Sequence, residues 1–297
     1  MYEYVVIDIE TTGLNRYKDE ITWIGVGLAK SLDDNQLKIL TYDATKNKEL
    51  QKFRNVISHA KESKSRLVFQ NGKFDTLFIE HKLRLKLPIS EDTMLMGTAY
   101  DLVAEHGLKA MAQSYLGVPD WDIKKKEKLS GSKDIVEPYL RCDVRYTWML
   151  FKFLMENMNS AQMKIYKELL RPAYRAYRDI ERNGLYLDLE ALRVVKKKYN
   201  EDEKRLLAEL KKHGDINWNS SAQVAKVLFK PGGCPVISKT PKGVPSTAAD
   251  VLKELAMQGY AIPKLLLEYK DAATRNKMFL NRWEDDSYES RIHPNFN

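Results

Sequence analysis

Three short acidic motifs could together bind divalent metal ions. Asp8 and Glu10 end an apolar run, VVIDIE, and are separated by one residue, so both carboxylates project from one face of a strand. Asp75 follows a predicted strand-to-helix junction, and Tyr139 and Asp143 are four residues apart, on one face of a predicted helix. Two such charges about 4 Å apart repel by roughly 4 kcal/mol at an effective dielectric near 20, so they persist together where cations offset them. Ligand sets made only of oxygen suit Mg²⁺ or Mn²⁺.

Each motif also has an ordinary structural explanation when it is taken alone. A D-x-E triplet is expected by chance about once in a chain of this length, and Asp188-Leu-Glu190 is a second example. There Asp188 would cap a helix and Glu190 would complement the helix dipole. Asp75 could lie in an ordinary helical first turn, and Tyr139 and Asp143 could be the core and surface positions of an amphipathic helix. The apolar strand favours function, because it has no structural use for two carboxylates on one face.

Composition and charge limit the classes of protein and the kinds of site. The 297 residues are 43% hydrophobic and 30% charged, as in an ordinary folded protein, and the net charge of +8 favours a polyanionic partner. There is no apolar run of membrane-spanning length and no basic leader, so we expect a cytoplasmic protein. Cys142 and Cys234 lack CxxC spacing and the five histidines form no HxxxH pair, so zinc-type metal chemistry is not expected.

The elements that would position the acidic residues are predicted from hydrophobic periodicity. The pattern is that of an α/β fold, a mixed β-sheet flanked by helices, over residues 1–158, followed by a mainly α-helical region over 159–297. We expect the lysine run at 124–128 to be an exposed loop, and Pro138 to lie in the first turn of its helix. The predicted strands span 4–9, 21–29, 37–42 and 67–70, and the predicted helices span 50–60, 73–82, 107–116, 138–158, 162–182 and 189–213.

The acidic motifs resemble, in order and spacing, the three exonuclease motifs of the DEDD superfamily. D-x-E on the first strand, N-x-x-x-D before a helix and Y-x-x-x-D on a late helix are similar to its tyrosine-bearing branch, which has a ribonuclease-H-like fold. The segments DTML at 92–95, GLKAMA at 107–112 and YLG at 115–117 resemble the proofreading domains of family A, the DNA polymerase I-like enzymes. The resemblance implies that residues 1–158 form a 3′–5′ exonuclease domain.

The same resemblance implies a role for each of the five residues. Asp8, Glu10, Asp75 and Asp143 would hold two divalent metal ions, Mg²⁺ or Mn²⁺, about 3.5–4 Å apart at the terminal phosphodiester. Tyr139 would orient the attacking water, since an ordinary tyrosine pKa of about 10 favours positioning over proton abstraction. The product would be a nucleoside monophosphate released from a 3′ end.

The second half resembles the start of the family A polymerase domain. In the family this region is a helical thumb that grips duplex DNA by its backbone, which suits the lysine-rich helices of this chain. In contrast to the family, Lys270 stands in place of an arginine, and Thr274 in place of a lysine. The similar segments are ERNGLYLD at 181–188, NSSAQ at 219–223, KTPKG at 239–243, VLKELA at 251–256, LEYK at 267–270 and RIHPNFN at 291–297. Residues expected to contact nucleic acid are Thr11, Leu14 and Asn71 at the terminal nucleotide, with Leu14 as an apolar wedge, and Asn219, Ser221 and Lys242 in the thumb.

Several questions stay open at this level. The chain ends at Asn297, before the family's palm and fingers, so we expect no polymerisation by this chain alone. It is either a truncation or half of a split polymerase whose second chain carries palm and fingers. The start of the exonuclease motifs near residue 1 indicates no preceding 5′ nuclease domain, as in phage-type members. A free-standing RNA 3′–5′ exonuclease of the ribonuclease D type and a non-catalytic, DNA-holding subunit are the alternatives.

Overall fold

The computed structural model describes residues 2–34, 36–122 and 132–296. Their contacts divide the chain into two compact units. The first runs to Asn183 and also includes Phe296, and the second spans Gly184–Asn295. The predicted lysine-rich loop at 124–128 lies outside the described residues.

The first unit is built on a five-stranded sheet with the order β3-β2-β1-β4-β5. The pairs β1–β2 and β2–β3 are antiparallel, whereas β1–β4 and β4–β5 are parallel. The predicted mixed sheet is therefore confirmed, and β1 lies at its centre. The strands are β1 Tyr4–Thr11, β2 Ile21–Ala29, β3 Lys38–Asp43, β4 Arg66–Phe69 and β5 Glu91–Asp92.

Helices pack on both faces of this sheet. The helices of the first unit are α1 Asn47–Glu62, α2 Gly72–Leu83, α3 Thr93–Tyr100, α4 Leu108–Leu116, α5 Lys133–Asn157, α6 Ser160–Lys164 and α7 Arg171–Asn183, with a π-helical segment Ile165–Leu170 between the last two.

Alternation along β1 divides the core into two clusters. Val5, Ile7 and Ile9 pack in one cluster with side chains of α1 and α2, whereas Tyr4 and Val6 pack in the other with side chains of α5. The second face is the one that carries Asp8 and Glu10 further along the strand.

A glycine in β2 allows α5 to lie close to the sheet. A Cβ atom at Gly25 would lie 2.7 Å from Cγ2 of Val144, which is too close for any side chain. Since Val144 adjoins Asp143, this close approach brings the carboxylate of Asp143 down to the sheet.

Helix α5 begins five residues earlier than predicted. Pro138 does not lie in the first turn, because the helix starts at Lys133 and the backbone N–H groups of Ile135 and Val136 donate to the carbonyl of Ser132. The prediction rested on the cost of an interior proline. Burial of Val136 in the core favours the extra turn despite that cost.

The segment 160–183 belongs to the first unit and packs against its other elements. Tyr166 and Tyr174 are buried, and their hydroxyls donate to Glu91 Oε2 at 2.7 Å and to Asn71 Oδ1 at 2.8 Å. By contacts the first unit therefore extends 25 residues past the predicted boundary at 158. That boundary, as a limit between family domains, stays a prediction.

The second unit is mainly helical, as expected. Asp188 caps the helix that begins at Leu189 by accepting from the N–H groups of Glu190 and Ala191, which confirms the structural role predicted for this second D-x-E triplet. The segments ERNGLYLD and RIHPNFN meet through the antiparallel pair β6 Leu185–Tyr186 and β7 Arg291–Ile292.

In the described parts of both units, no helix is long and apolar enough to cross a bilayer. The helices are α8 Leu189–Lys211, α9 Ser221–Leu228, α10 Ala249–Met257, α11 Ala261–Arg275 and α12 Asn281–Asp286, with a π-helical segment Asn276–Leu280 before α12.

Candidate active site

Three of the predicted carboxylates meet at the end of the central strand. Asp8, Glu10 and Asp143 each offer one oxygen atom, and these atoms lie within 4.8 Å of one another. Glu10 and Asp143 are buried, while Asp8 is partly exposed. Hard oxygen donors at this spacing fit a divalent cation such as Mg²⁺ or Mn²⁺, and no soft ligand is among them.

Asp75 lies beside this group but is not one of the three. It is in the first turn of α2, where its Oδ1 accepts the backbone N–H of Ile9 at 3.0 Å. Burial raises the pKa of Asp75 well above its ordinary value, and the neighbouring carboxylates Asp92 and Glu10 raise it further. The structure thus places Asp75 against β1, with one oxygen committed to the strand backbone.

Tyr139 lies one helical turn before Asp143 and faces the same way, as predicted. The ring is buried, and its hydroxyl is hydrogen-bonded to Asp143. Burial raises the pKa of Tyr139 far above its ordinary value, and the carboxylates of Asp143 and Glu10 add to that effect. The raised pKa favours the neutral phenol, which can orient a neighbour through its hydroxyl.

Two further residues complete the site, and the sequence analysis assigned no role to either. Trp121 donates its indole N–H to Asp143 Oδ1 at 2.6 Å. The ammonium group of Lys109 donates to the Tyr139 hydroxyl at 3.0 Å and to Asp122 Oδ1 at 2.7 Å. One signal could have found Lys109: it is the second residue of α4, where the helix dipole disfavours a positive charge.

These residues face an open cleft of about 450 Å³. The cleft carries both signs of charge, since the side chains of Asp8, Glu105 and Asp143 line it together with that of Lys109. Its lining residues are Asp8, Gln70, Glu105, Gly107, Leu108, Lys109, Ala110, Tyr139 and Asp143.

The predicted contacts to the terminal nucleotide differ in their surroundings. Leu14 is 86% exposed, so packing within its turn does not explain this leucine. The Thr11 hydroxyl donates to the carbonyl of Gly13 at 2.6 Å and shapes the turn after β1. Asn71 precedes α2 in a left-handed conformation, and its side-chain carbonyl accepts from Tyr174. Of the three, only Leu14 presents its side chain to solvent without an evident structural use.

The predicted thumb residues lie in the second unit and are all exposed. Asn219 donates its side-chain N–H to the Tyr269 hydroxyl at 3.2 Å, Ser221 is the first residue of α9, and Lys242 lies in a turn closed by Gly243. A separate basic groove of about 400 Å³ follows α8 in this unit. It is lined by Arg193, Lys196, Lys197, Asn200, Glu201, Lys204 and Glu284.

Comparison with known protein families and structures yields two consecutive matches along the chain. The family model described as 3′–5′ exonuclease matches residues 1–159, and the model described as DNA polymerase family A matches residues 189–297. The chain is 27% identical to DNA polymerase I of Pseudomonas aeruginosa over 70% of its own length and 24% of that protein. It is 26% identical to DNA polymerase I of Borreliella burgdorferi over 99% of its length and 33% of that protein.

A phage protein and a solved structure are also similar. The DNA polymerase of Bacillus phage SP01 is 24% identical over 77% of this chain and 32% of its own length. The POL domain of Pol1 from M. smegmatis, in complex with DNA primer-template and dNTP, has a similar fold, with a TM-score of 0.71 at 18% identity over 100% of this chain and 49% of that one. The chain thus spans a third or less of these curated relatives and about half of the solved chain.

Proposed function

Because the chain belongs to the 3′–5′ exonuclease family, we propose that it is a metal-dependent proofreading exonuclease acting on the 3′ ends of DNA. The match of its C-terminal part to DNA polymerase family A supports DNA as the substrate. The observation that carries the proposal is the meeting of Asp8, Glu10 and Asp143, which come from two separate elements, beside the protonated phenol of Tyr139. We assign the chain to the tyrosine-bearing branch of the DEDD nucleases because this set resembles the motifs of that branch.

The reaction is the hydrolysis of the terminal phosphodiester. Water adds to phosphorus, and the bond from phosphorus to the O3′ atom of the preceding nucleotide breaks. The O3′ atom takes up a proton, so that one nucleoside 5′-monophosphate leaves and a new 3′-hydroxyl remains. Two divalent ions, Mg²⁺ or Mn²⁺, would supply Lewis-acid stabilisation of the attacking and leaving oxygens when bound.

The side chains divide this work between binding and orientation. Asp8, Glu10 and Asp143 would hold the cations, and Asp75 would join them through the oxygen that does not accept from β1. Tyr139 would orient the attacking water as a neutral hydroxyl, because its raised pKa disfavours a phenolate base.

The substrate would lie along the cleft with its last base at the turn after β1. Leu14 is exposed there and would contact the terminal base as an apolar wedge, with Thr11 and Asn71 nearby on the nucleotide side. In the second unit, the exposed residues Asn219, Ser221 and Lys242 would contact the backbone of duplex DNA, in a manner that is independent of sequence and weakens with salt. The chain would work together with polymerase domains, on the same or on a second polypeptide.

The test compares the proposed site with the second D-x-E triplet of the same chain. We expect end-labelled primer–template DNA to be shortened in Mg²⁺ or Mn²⁺ but not in EDTA, and faster when the terminal pair is mismatched. Asp8→Ala combined with Asp75→Ala should abolish this activity. Asp188→Ala is the matched control, since it removes an aspartate whose role is only to cap a helix.

Three results would contradict the proposal. Full activity in the Asp8 and Asp75 double variant would remove the site from the reaction. Equal loss in the Asp188 variant would mean that the assay reports folding. Degradation of ribo-oligonucleotides at least as fast as DNA would favour the RNA exonuclease instead.

A further inference from the structure

The ammonium group of Lys109 sits against the side chain that the proposed mechanism uses to orient water. Its Nζ atom lies 3.0 Å from the Tyr139 hydroxyl and 4.9 Å from the centre of the Tyr139 ring. The same atom donates to Asp122 Oδ1 at 2.7 Å. The lysine thus contacts the polar end of one tyrosine, while Asp122 accepts a hydrogen bond from the same ammonium group.

This position is unfavourable for a lysine that serves only solubility. Lys109 is in the first turn of α4, where the partial positive charge of the helix end repels it. Its side chain is only 31% exposed, so much of the aliphatic stem and head is withdrawn from water. The hydrogen bonds to Tyr139 and Asp122 offset these costs. We therefore attribute the position of Lys109 to its contacts within the site.

We infer that Lys109 is a positioning residue that sets the direction of the Tyr139 hydroxyl. An ammonium group can only donate hydrogen bonds, so the phenol oxygen must accept from Lys109. The phenol hydroxyl is also hydrogen-bonded to Asp143, and since its oxygen accepts from Lys109, it directs its own proton to that carboxyl group. With both partners present, the hydroxyl has one orientation; without Lys109, only the hydrogen bond to Asp143 restrains it.

The inference rests on the proposed function and adds one consequence to it. A misdirected hydroxyl would orient the attacking water poorly, and this affects the chemical step more than the binding of the nucleic acid. Removing a residue that hydrogen-bonds to the side chains of a metal site typically lowers activity by about 10- to 100-fold. We therefore expect Lys109→Met to lower kcat by about tenfold and to change KM by less than about twofold.

A double-mutant cycle separates positioning from direct contact with the substrate. Lys109→Met, Tyr139→Phe and the combined variant are assayed on a labelled single strand. We expect Lys109→Met to lower kcat in the wild-type background and to have no effect in the Tyr139→Phe background, where the hydroxyl is gone. An equal loss in both backgrounds would mean that Lys109 acts on the substrate directly, and would overturn the inference.

Binding provides a readout that does not depend on catalysis. Fluorescence anisotropy of a labelled single strand in EDTA should give Kd values within about twofold for wild type and Lys109→Met. If Lys109 contacted a phosphate instead, the variant would bind more weakly and its binding would depend less on salt than that of wild type. Asp122→Asn provides a second variant if Lys109→Met does not fold. It should lower kcat in the wild-type background only. A wild-type protein without nuclease activity would contradict the proposed function itself. That result is distinct from a Lys109→Met variant with unchanged kcat, or with the same loss of kcat in both backgrounds, either of which would contradict only the inference about Lys109.

Discussion

The buried ion pair between Lys73 and Glu181 offers the sharpest test of how the first unit is held together. Both side chains are only 4% exposed, and Lys73 Nζ lies 2.6 Å from Glu181 Oε1. The same ammonium group donates to the carbonyl of Phe296 and lies 4.9 Å from the centre of the Tyr174 ring. Lys73→Met keeps the aliphatic volume but leaves the carboxylate of Glu181 buried without its cation.

The expected cost follows from this burial. Removing one partner of a buried pair typically costs about 3–5 kcal/mol, because the remaining charge has lost its compensation. We take about 3 kcal/mol, since the backbone N–H of Phe296 still donates to Glu181 Oε1 at 2.8 Å. This equals about a hundredfold increase in the equilibrium constant for opening. Hydrogen exchange of α2 and α7, read by mass spectrometry on the whole chain, should accelerate by that factor.

Two control variants make this expectation refutable. Lys52→Met breaks an exposed pair with Glu49, whose side chains are 54% and 26% exposed, and should cost less than about 1 kcal/mol. Adding Glu181→Leu to Lys73→Met should recover part of the loss, because the isolated charge is then gone. If Lys73→Met accelerates exchange no more than Lys52→Met, the buried pair is not what stabilises this region.

Three further changes test the site and its surroundings. Trp121→Phe removes the N–H that donates to Asp143, and should raise the Mn²⁺ concentration for half-maximal activity by about tenfold, with little change at saturating metal. Leu14→Ala should leave thermal stability unchanged, because the side chain is exposed, yet raise KM for an unpaired 3′ end by about three- to tenfold; an unchanged KM would remove the wedge. Burial lowers the pKa of His81, so its stabilising contribution is present above the unfolded pKa of about 6.5 and is lost as pH falls through the folded value. Unfolding free energy should therefore fall less between about pH 7 and pH 5 in His81→Gln than in wild type, and equal slopes would contradict this assignment.

Local patterns predicted four of the five strands of the sheet because the signals of those four are local, whereas the two-residue strand β5 was not predicted. The strand Ile21–Ala29 matches its predicted bounds, since a continuous apolar run ends there in charged and turn-forming residues. The predicted start of α5 was wrong because it depends on a contact between residues far apart in the sequence. Val136 packs in a core cluster with residues of β1. Periodicity indicates that a helix exists, but tertiary packing decides which residue begins it.

The site shows the same division between local and remote information. Asp8 and Glu10 could be predicted because one strand places both on one face, and Tyr139 and Asp143 because one helical turn separates them. The contacts of Lys109 and Trp121 join residues 30 and 22 positions apart, and no periodicity connects them. Such partners can be found only when the fold brings α4 and the residues that follow it close to α5.

The carboxylates at the end of β1 do not contribute to folding. Each close pair among Asp8, Glu10 and Asp143 repels by roughly 1 kcal/mol if solvated and about 4 kcal/mol at an effective dielectric near 20. The N–H of Trp121 offsets part of this charge at Asp143, and the net charge of +8 supplies a favourable distant field. Bound divalent cations would offset what remains of this repulsion, so their binding would stabilise the first unit. The repulsion that disfavours the fold would therefore favour the binding of cations at this site.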